Sequence, residues 1–98
     1  MLYRALCAAQ AILDHGETAA DRVRAAMTEI IAGEPLARPD YVSAADPDTL
    51  EELDQIGADV LLSLAVRVGP TRLIDNFLLR DGQWETGQKL QAGPRPAL

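Results

Sequence analysis

The sequence predicts an α+β domain in which a helical hairpin packs on a small antiparallel sheet of about three strands. Two segments near the start of the chain, the first rich in Ala and Leu and the second in Ala and Ile, repeat apolar residues at helical spacing. Two apolar runs in the second half are separated by Gly69 and Pro70, which is the pattern of a β-hairpin. The length of 98 residues, 48% of them hydrophobic, suits one domain with its own core.

The two helices are predicted from apolar stripes that recur every three or four residues. The first runs from about Leu2 to Asp14, and Gly16 is placed to end it because glycine adopts the left-handed conformation without strain. Thr18 and Asp21 resemble a capping box at the start of the second helix. The stripe and the end of this helix are formed by Val23, Met27, Ile30, Ile31, Gly33 and Pro35. The short connection predicts that the two helices pack antiparallel.

The middle of the chain is predicted to hold a short strand and a brief helix. Tyr41 and Val42 lie between polar residues and suggest the strand. Asp46 and Pro47 suit the cap and the first position of a helix, and Gly57 is placed to end it.

The hairpin is the clearest element in the sequence. Its strands span Val60 to Val68 and Thr71 to Leu79, and both are mostly apolar. The first run is also compatible with a buried helix, because periodicity does not separate the two at this length. The β-branched residues and the immediate turn favour a strand. Residues 81–98 are rich in Gly, Gln and Pro, and are predicted to be a flexible or loosely docked tail on a domain of residues 1–80.

The charge balance argues against several classes of partner. The formal net charge is −6, and the nine basic residues are spread from Arg4 to Arg95, which disfavours nucleic acid and anionic membranes. No apolar run approaches the roughly 18 residues that span a bilayer. Cys7 is the only cysteine, so no internal disulfide is expected and the chain is predicted to be cytoplasmic.

The residues that carry enzyme chemistry do not form recognisable sets. His15 is the sole histidine and is interpreted as an exposed cap at the end of the first helix. Glu51, Glu52 and Asp54 are interpreted as a solvated acidic face of the brief helix, since no calcium-loop spacing surrounds them. The sequence has no Gly-rich phosphate loop and no zinc-ligand spacing. We therefore predict no catalytic, cofactor-binding or metal-binding residue in this chain.

Three polar residues interrupt the second strand of the hairpin: Arg72, Asp75 and Asn76. Each is expected to have a partner or to reach solvent, because an unpaired polar group is costly to bury. Strand alternation places Arg72 and Asn76 on one face and Asp75 on the other, so Arg72 and Asp75 are not expected to pair. Arg67 is a candidate cross-strand partner. We take Arg72, Asp75 and Asn76 as candidate structural or interdomain contact residues, with the structural role favoured.

The stretch from Gly57 to Asn76 resembles the C-terminal signature of the pantoate–β-alanine ligases, also called pantothenate synthetases. Its most specific part is G-x-T-R-L-I-D-N, from Gly69 to Asn76. Upstream, L-Y-R-A-L at Leu2 to Leu6 and R-P-D-Y-V at Arg38 to Val42 occur in the expected order. The resemblance covers about residues 2–80.

The resemblance implies a role within a larger enzyme. This family joins pantoate to β-alanine with ATP and magnesium, through an acyl-adenylate, and its nucleotide-binding motifs belong to an N-terminal Rossmann-like domain. None of those motifs occurs in this sequence. The family's C-terminal domain, a small sheet with helices, closes over the nucleotide site as a lid.

Our first hypothesis is that the chain is such a lid domain, inactive alone, whose partner is the missing N-terminal nucleotide-binding domain. A lid apart from that domain exposes the surface that faced it, so the isolated chain is expected to self-associate. The alternative is a stand-alone acidic interaction module that uses the rim of its sheet. A small hydrolase that uses Asp75 or His15 is the least supported hypothesis.

Overall fold

The computed structural model describes residues 1–86 and shows two helices followed by four strands. The elements are α1 (Leu2–Asp14), α2 (Ala20–Ala32), β1 (Ala37–Ala45), β2 (Val60–Val68), β3 (Thr71–Arg80) and β4 (Gln83–Thr86). The strands form one antiparallel sheet in the order β1-β2-β3-β4. The predicted α+β class is confirmed, and the sheet has one strand more than the three that the sequence suggests. Within residues 1–86, no helix is long and apolar enough to cross a membrane.

The core lies between the two helices and one face of the sheet. From the helices it takes mainly small and aliphatic side chains, among them Leu6, Val23 and Met27, which are fully buried. From the sheet it takes every second residue of β2 from Val60 to Val66, because alternate strand residues face the same side. The apolar stripes of both helices are thus confirmed as their core faces.

The β2–β3 hairpin forms as predicted. The alternative interpretation of Val60–Val68 as a buried helix is therefore wrong. Every residue of β2 has a partner in β3, and the two-residue turn closes at the pair Val68 and Thr71. Gly69 adopts a φ of 61°, the sign that a type II′ turn requires at its first central position.

The capping box predicted for α2 is wrong. The cap position is Ala19, which offers no side-chain acceptor. Instead, the Glu17 carboxylate accepts the backbone N–H groups of Thr18 and Ala19, at 3.0 and 3.1 Å. The backbone N–H of Ala20 donates to the Asp54 carbonyl at 3.0 Å. The backbone N–H groups at the start of α2 are therefore bonded by Glu17, which precedes the helix, and by Asp54, which is distant in sequence, rather than by a capping box.

The brief helix predicted after Asp46 is also wrong. The Asp46 carboxylate does accept the backbone N–H groups of Asp48 and Thr49, at 2.8 and 3.0 Å, as a helix cap would. However, Leu50 has a φ of 65°, which a right-handed helix does not allow, so the chain makes a single turn and no helix. The chain then runs back beside β1, where Glu52 bridges Ala45. Residues 46–57 form a loop that covers the C-terminal end of β1, at Ala44 and Ala45, and such a cover protects that part of an edge strand from foreign pairing.

The fourth strand lies in the segment predicted to be a tail. Gln83–Thr86 pairs with the end of β3, and the Trp84 indole donates from Nε1 to Asp14 Oδ1 at 2.9 Å. The Trp84 ring also meets Phe77 edge to face, with centroids 6.3 Å apart. This part of the segment therefore extends the sheet. Residues 87–98 lie outside the described residues, and for them the tail stays a prediction.

Candidate functional site

The sheet face turned away from the helices carries polar and apolar side chains together. We call it the open face. Because strand residues alternate, its members are the neighbours of the core residues along each strand. They are Arg38, Tyr41, Ser43 and Ala45 of β1, Leu61, Ser63, Ala65 and Arg67 of β2, and Arg72, Ile74, Asn76 and Leu78 of β3.

A β-bulge at Asp40 controls what β1 contributes to this face. Pro39 lies opposite Val66 and Tyr41 lies opposite Ala65, so Asp40 is an extra residue without a partner position in β2. Such an insertion shifts the alternation by one residue and re-aims the side chain. As a result Tyr41 faces outward, and the Asp40 carboxylate reaches the arginines of the open face.

Three arginines lie side by side across β1, β2 and β3. Arg38 is paired in register with Arg67, and Arg67 with Arg72, which defines the arginine row. Asp40 Oδ2 lies 2.8 Å from Arg72 Nε and 3.4 Å from Arg67 Nε. Within residues 1–86, the Arg38 side chain has neither a hydrogen bond nor an ion pair. Three positive charges against one carboxylate leave an excess of two, in a chain whose formal net charge is −6.

The three candidate contact residues lie on the faces that alternation predicts. Arg72 and Asn76 belong to the open face, and Asp75 lies on the helix side opposite Leu64. The Asp75 carboxylate accepts the backbone N–H of Asn76 at 2.8 Å. Arg67, the candidate cross-strand partner, lies opposite Arg72, and both guanidinium groups contact the Asp40 carboxylate. An interdomain contact by Arg72, Asp75 or Asn76 stays a prediction.

A fourth arginine, Arg24 of α2, was not singled out by its sequence pattern. Its guanidinium group donates to Glu52 Oε1 at 3.0 Å, Asp21 Oδ1 at 2.9 Å, the Ala44 carbonyl at 2.9 Å and the Leu53 carbonyl at 2.6 Å. The side chain is only 19% exposed. These hydrogen bonds define the Arg24 network, which joins α2, the C-terminal end of β1 and the loop of residues 46–57.

Glu52 belongs to this network rather than to a solvated acidic face on a helix. Its carboxylate also accepts the Ser43 hydroxyl and, at 3.2 Å, the backbone N–H of Ala44. Arg24 and Glu52 are 28 residues apart, so no local spacing could indicate the pair.

The sole histidine has a structural role. His15 caps the end of α1 and contacts the Ala11 carbonyl at 2.7 Å. Residues 1–86 contain no group of three or more His, Cys, Asp or Glu placed to hold a metal ion.

Comparison with known proteins gives one consistent family. The profile described as "Pantoate-beta-alanine ligase" matches residues 1–78. The pantothenate synthetase of Chloroflexus aurantiacus is 60% identical over 80 residues, which are 81% of this chain and 28% of that protein. The pantothenate synthetase of Dehalococcoides mccartyi is 43% identical over 79 residues, 81% of this chain and 30% of that protein.

The fold agrees with a solved structure under the same name. The crystal structure of pantothenate synthetase from Thermus thermophilus superimposes with a TM-score of 0.70 and 35% identity, over 76% of this chain and 27% of that one. This chain thus spans less than a third of the length of the curated relatives it matches. The sequence match, which covers most of the residues described here, and the shared fold together show that the chain belongs to the pantoate–β-alanine ligase family.

Proposed function

We propose that this chain is the C-terminal lid domain of an ATP-dependent pantoate–β-alanine ligase and is not catalytic alone. The observation that carries the proposal is the pattern of coverage. About four fifths of the chain matches only 28% of the length of a pantothenate synthetase, so nearly three quarters of such a protein has no counterpart here. The G-x-T-R-L-I-D-N stretch resembles the C-terminal signature of that family.

In this proposal the chain contributes closure. The family's resemblance implies that ATP and magnesium are bound by an N-terminal nucleotide-binding domain and that an acyl-adenylate forms there. An acyl-adenylate is readily hydrolysed, and a domain that closes over it excludes water and holds the reactants in place. Residues 1–86 offer no carboxylate cluster spaced for a divalent cation, so we assign them no part in holding magnesium.

The build of the domain supports movement as one body. The Arg24 network ties α2 to the edge of β1, and Trp84 ties β4 to α1. A lid needs this internal rigidity, because a soft domain would lose its closing surface when it moves. We place this chain in the cytoplasm, because its single cysteine, Cys7, forms no internal disulfide.

A chimera tests the proposal directly. Residues 1–86 of this chain, which include β4, would replace the 80 matching residues of the full-length Chloroflexus aurantiacus enzyme. We expect the chimera to release AMP with pantoate, β-alanine, ATP and magnesium at a rate within about tenfold of the intact enzyme, since tenfold corresponds to about 1.4 kcal/mol of barrier. A chimera that folds but shows no ligase activity would contradict the proposal.

The isolated chain provides the second arm. Incubated alone with the same reactants, it is expected to release no AMP above background. AMP release at an enzyme-like rate would refute a lid that depends on another domain. An inactive chimera together with an inactive chain would favour the alternative, a stand-alone acidic interaction module.

A further inference from the structure

We infer that the open face of the sheet is a docking surface for an acidic segment of the rest of the ligase, and that the arginine row of Arg38, Arg67 and Arg72 binds its carboxylates. The identity of the partner rests on the proposed function. The docking surface itself rests on charge, composition and shape.

The charge of the row is not balanced within the described residues. Asp40 is shared by Arg67 and Arg72, whose side chains remain 55% and 43% exposed. Arg38 contributes a third positive charge on the same face, directly opposite Arg67. Like charges directly opposite each other on a sheet destabilise it. An arrangement that keeps three together, in a chain of net charge −6, favours an acidic partner.

The row is bordered by apolar side chains that also remain accessible. Tyr41 is 42% exposed and Ile74 is 37% exposed, and they lie in β1 and β3 on either side of Ala65, which is fully buried. Arginine, tyrosine and aliphatic side chains in one patch are typical of the centres of protein–protein interfaces. Elsewhere on this face Leu61 and Leu78 are half-buried.

The shape of the surface favours a polypeptide over a small anion. Sites for free phosphate or a small carboxylate use donors converging in a concave, largely buried site, whereas these guanidinium groups lie on a sheet surface and are about half exposed. Three strands of nine or ten residues make this face roughly 30 Å by 14 Å, about 400 Å². With an equal area on the partner, the contact would reach about 800 Å², within the range of interdomain interfaces.

Arginine footprinting tests this surface without any substitution. Phenylglyoxal reacts with accessible guanidinium groups, and mass spectrometry of peptides gives the rate at each arginine. Rates in the chimera are compared with rates in the isolated, dilute chain. Arg22 on α2 is the internal control, because its side chain is 76% exposed and lies on the helical layer. We expect the row to react about tenfold more slowly in the chimera, as a face covered nine tenths of the time would, with Arg22 unchanged.

The outcomes separate this inference from the proposed function. An active chimera in which the row reacts as fast as in the isolated chain overturns the docking surface and leaves the lid standing. An inactive chimera with a protected row contradicts the lid but supports the surface. Protection of the row in the isolated chain that grows with its concentration until it matches the chimera would identify a second copy of this chain as the occupant and overturn the assignment to the ligase.

A charge reversal tests that the partner is acidic. In the chimera, Arg67→Glu combined with Arg72→Glu should lower kcat/KM about tenfold, equivalent to about 1.4 kcal/mol, while Arg22→Glu should leave it unchanged within twofold. Arg72→Lys alone, which keeps the charge, should retain most of the activity of the unaltered chimera. High salt should lower the activity of the unaltered chimera but not that of the double variant. Circular dichroism of the isolated variants checks their folding. If the double reversal unfolds the chain, Arg67→Gln with Arg72→Gln takes its place. Unchanged kcat/KM in a folded variant would overturn the acidic contact.

Discussion

The Arg24 network and the arginine row use the same residue type in opposite ways. Arg24 gives four hydrogen bonds to partners within the chain and is 19% exposed. In the row, Arg67 and Arg72 share the single carboxylate of Asp40 and are about half exposed, and the Arg38 side chain has no partner within residues 1–86. What separates a structural arginine from a candidate contact residue in this molecule is therefore how completely its donors are satisfied. The charge alone does not distinguish them.

The largest effect is expected from Arg24→Ala. The substitution leaves the Ala44 and Leu53 carbonyls and the Glu52 carboxylate without this donor, so stability should fall by about 3 kcal/mol. For a domain of this size, the melting temperature should fall by about 12 °C or more. Thermal and urea unfolding followed by circular dichroism measure both quantities.

Arg22→Ala is the matched control for this prediction. It lies on the same helix two residues earlier, and its single ion pair, with Glu17, is 3.7 Å long. Its stability should change by no more than about 0.5 kcal/mol. If the two substitutions had the same effect, the contrast between satisfied and unsatisfied arginines would have no energetic basis.

A smaller, salt-dependent effect is expected from Asp40→Asn in the isolated chain. The variant leaves three neighbouring arginines without a counter-charge, so stability should fall by about 1 kcal/mol at low salt. Sodium chloride at high concentration should remove most of the loss, because these groups are exposed to screening. The matched variant Arg72→Ala removes one of the repelling charges and should change stability by less than about 0.5 kcal/mol. A salt-independent loss for Asp40→Asn would show that Asp40 acts through packing and not through charge.

The smallest effect concerns Asp46, whose partners are mainly backbone groups. Hydrogen bonds from the backbone N–H groups of Thr49 and Asp48 lower the pKa of this carboxyl below its usual range, with a minor contribution from Arg80. Because the pKa is lower in the folded state, the stabilisation is complete above the usual carboxyl range, near pH 4. It is lost as the pH falls through the lowered value.

The variant Asp46→Ala makes this pH dependence measurable. The difference in unfolding free energy between the variant and the parent chain should be constant near neutral pH and should shrink on acidification. Urea unfolding at a series of pH values would follow it. A difference that grows in acid would contradict the assigned sign.

The elements that the sequence predicted correctly are those that local pattern decides. The stripes of α1 and α2 and the Gly69–Pro70 turn depend on residues close in the chain. The prediction of a brief helix was wrong because Asp46 accepts the backbone N–H groups of Asp48 and Thr49 in the same way in a helix cap and in an isolated turn. The turn ends at Leu50, with its positive φ, and the distant contact of Glu52 with Arg24 then holds the chain beside β1.

The candidate site was only partly accessible from sequence for the same reason. Strand alternation correctly separated Arg72 and Asn76 from Asp75. The row itself depends on the register between β1 and β2, which is set by two strands far apart in sequence and interrupted by the bulge. Three polar residues with one tryptophan gave little signal for β4, although Trp84 anchors it to α1.

The bulge at Asp40 also makes this strand sensitive to the position of an in-frame codon deletion. Loss of the Asp40 codon would join Pro39 to Tyr41, and the residues on both sides would keep their present partners in β2. Loss of the Ser43 codon would instead turn either the upstream or the downstream part of β1 inside out. A one-codon change in chain length at Asp40 could thus make the open face more basic while the core stays the same, which offers a route to retune a contact surface without redesigning the fold.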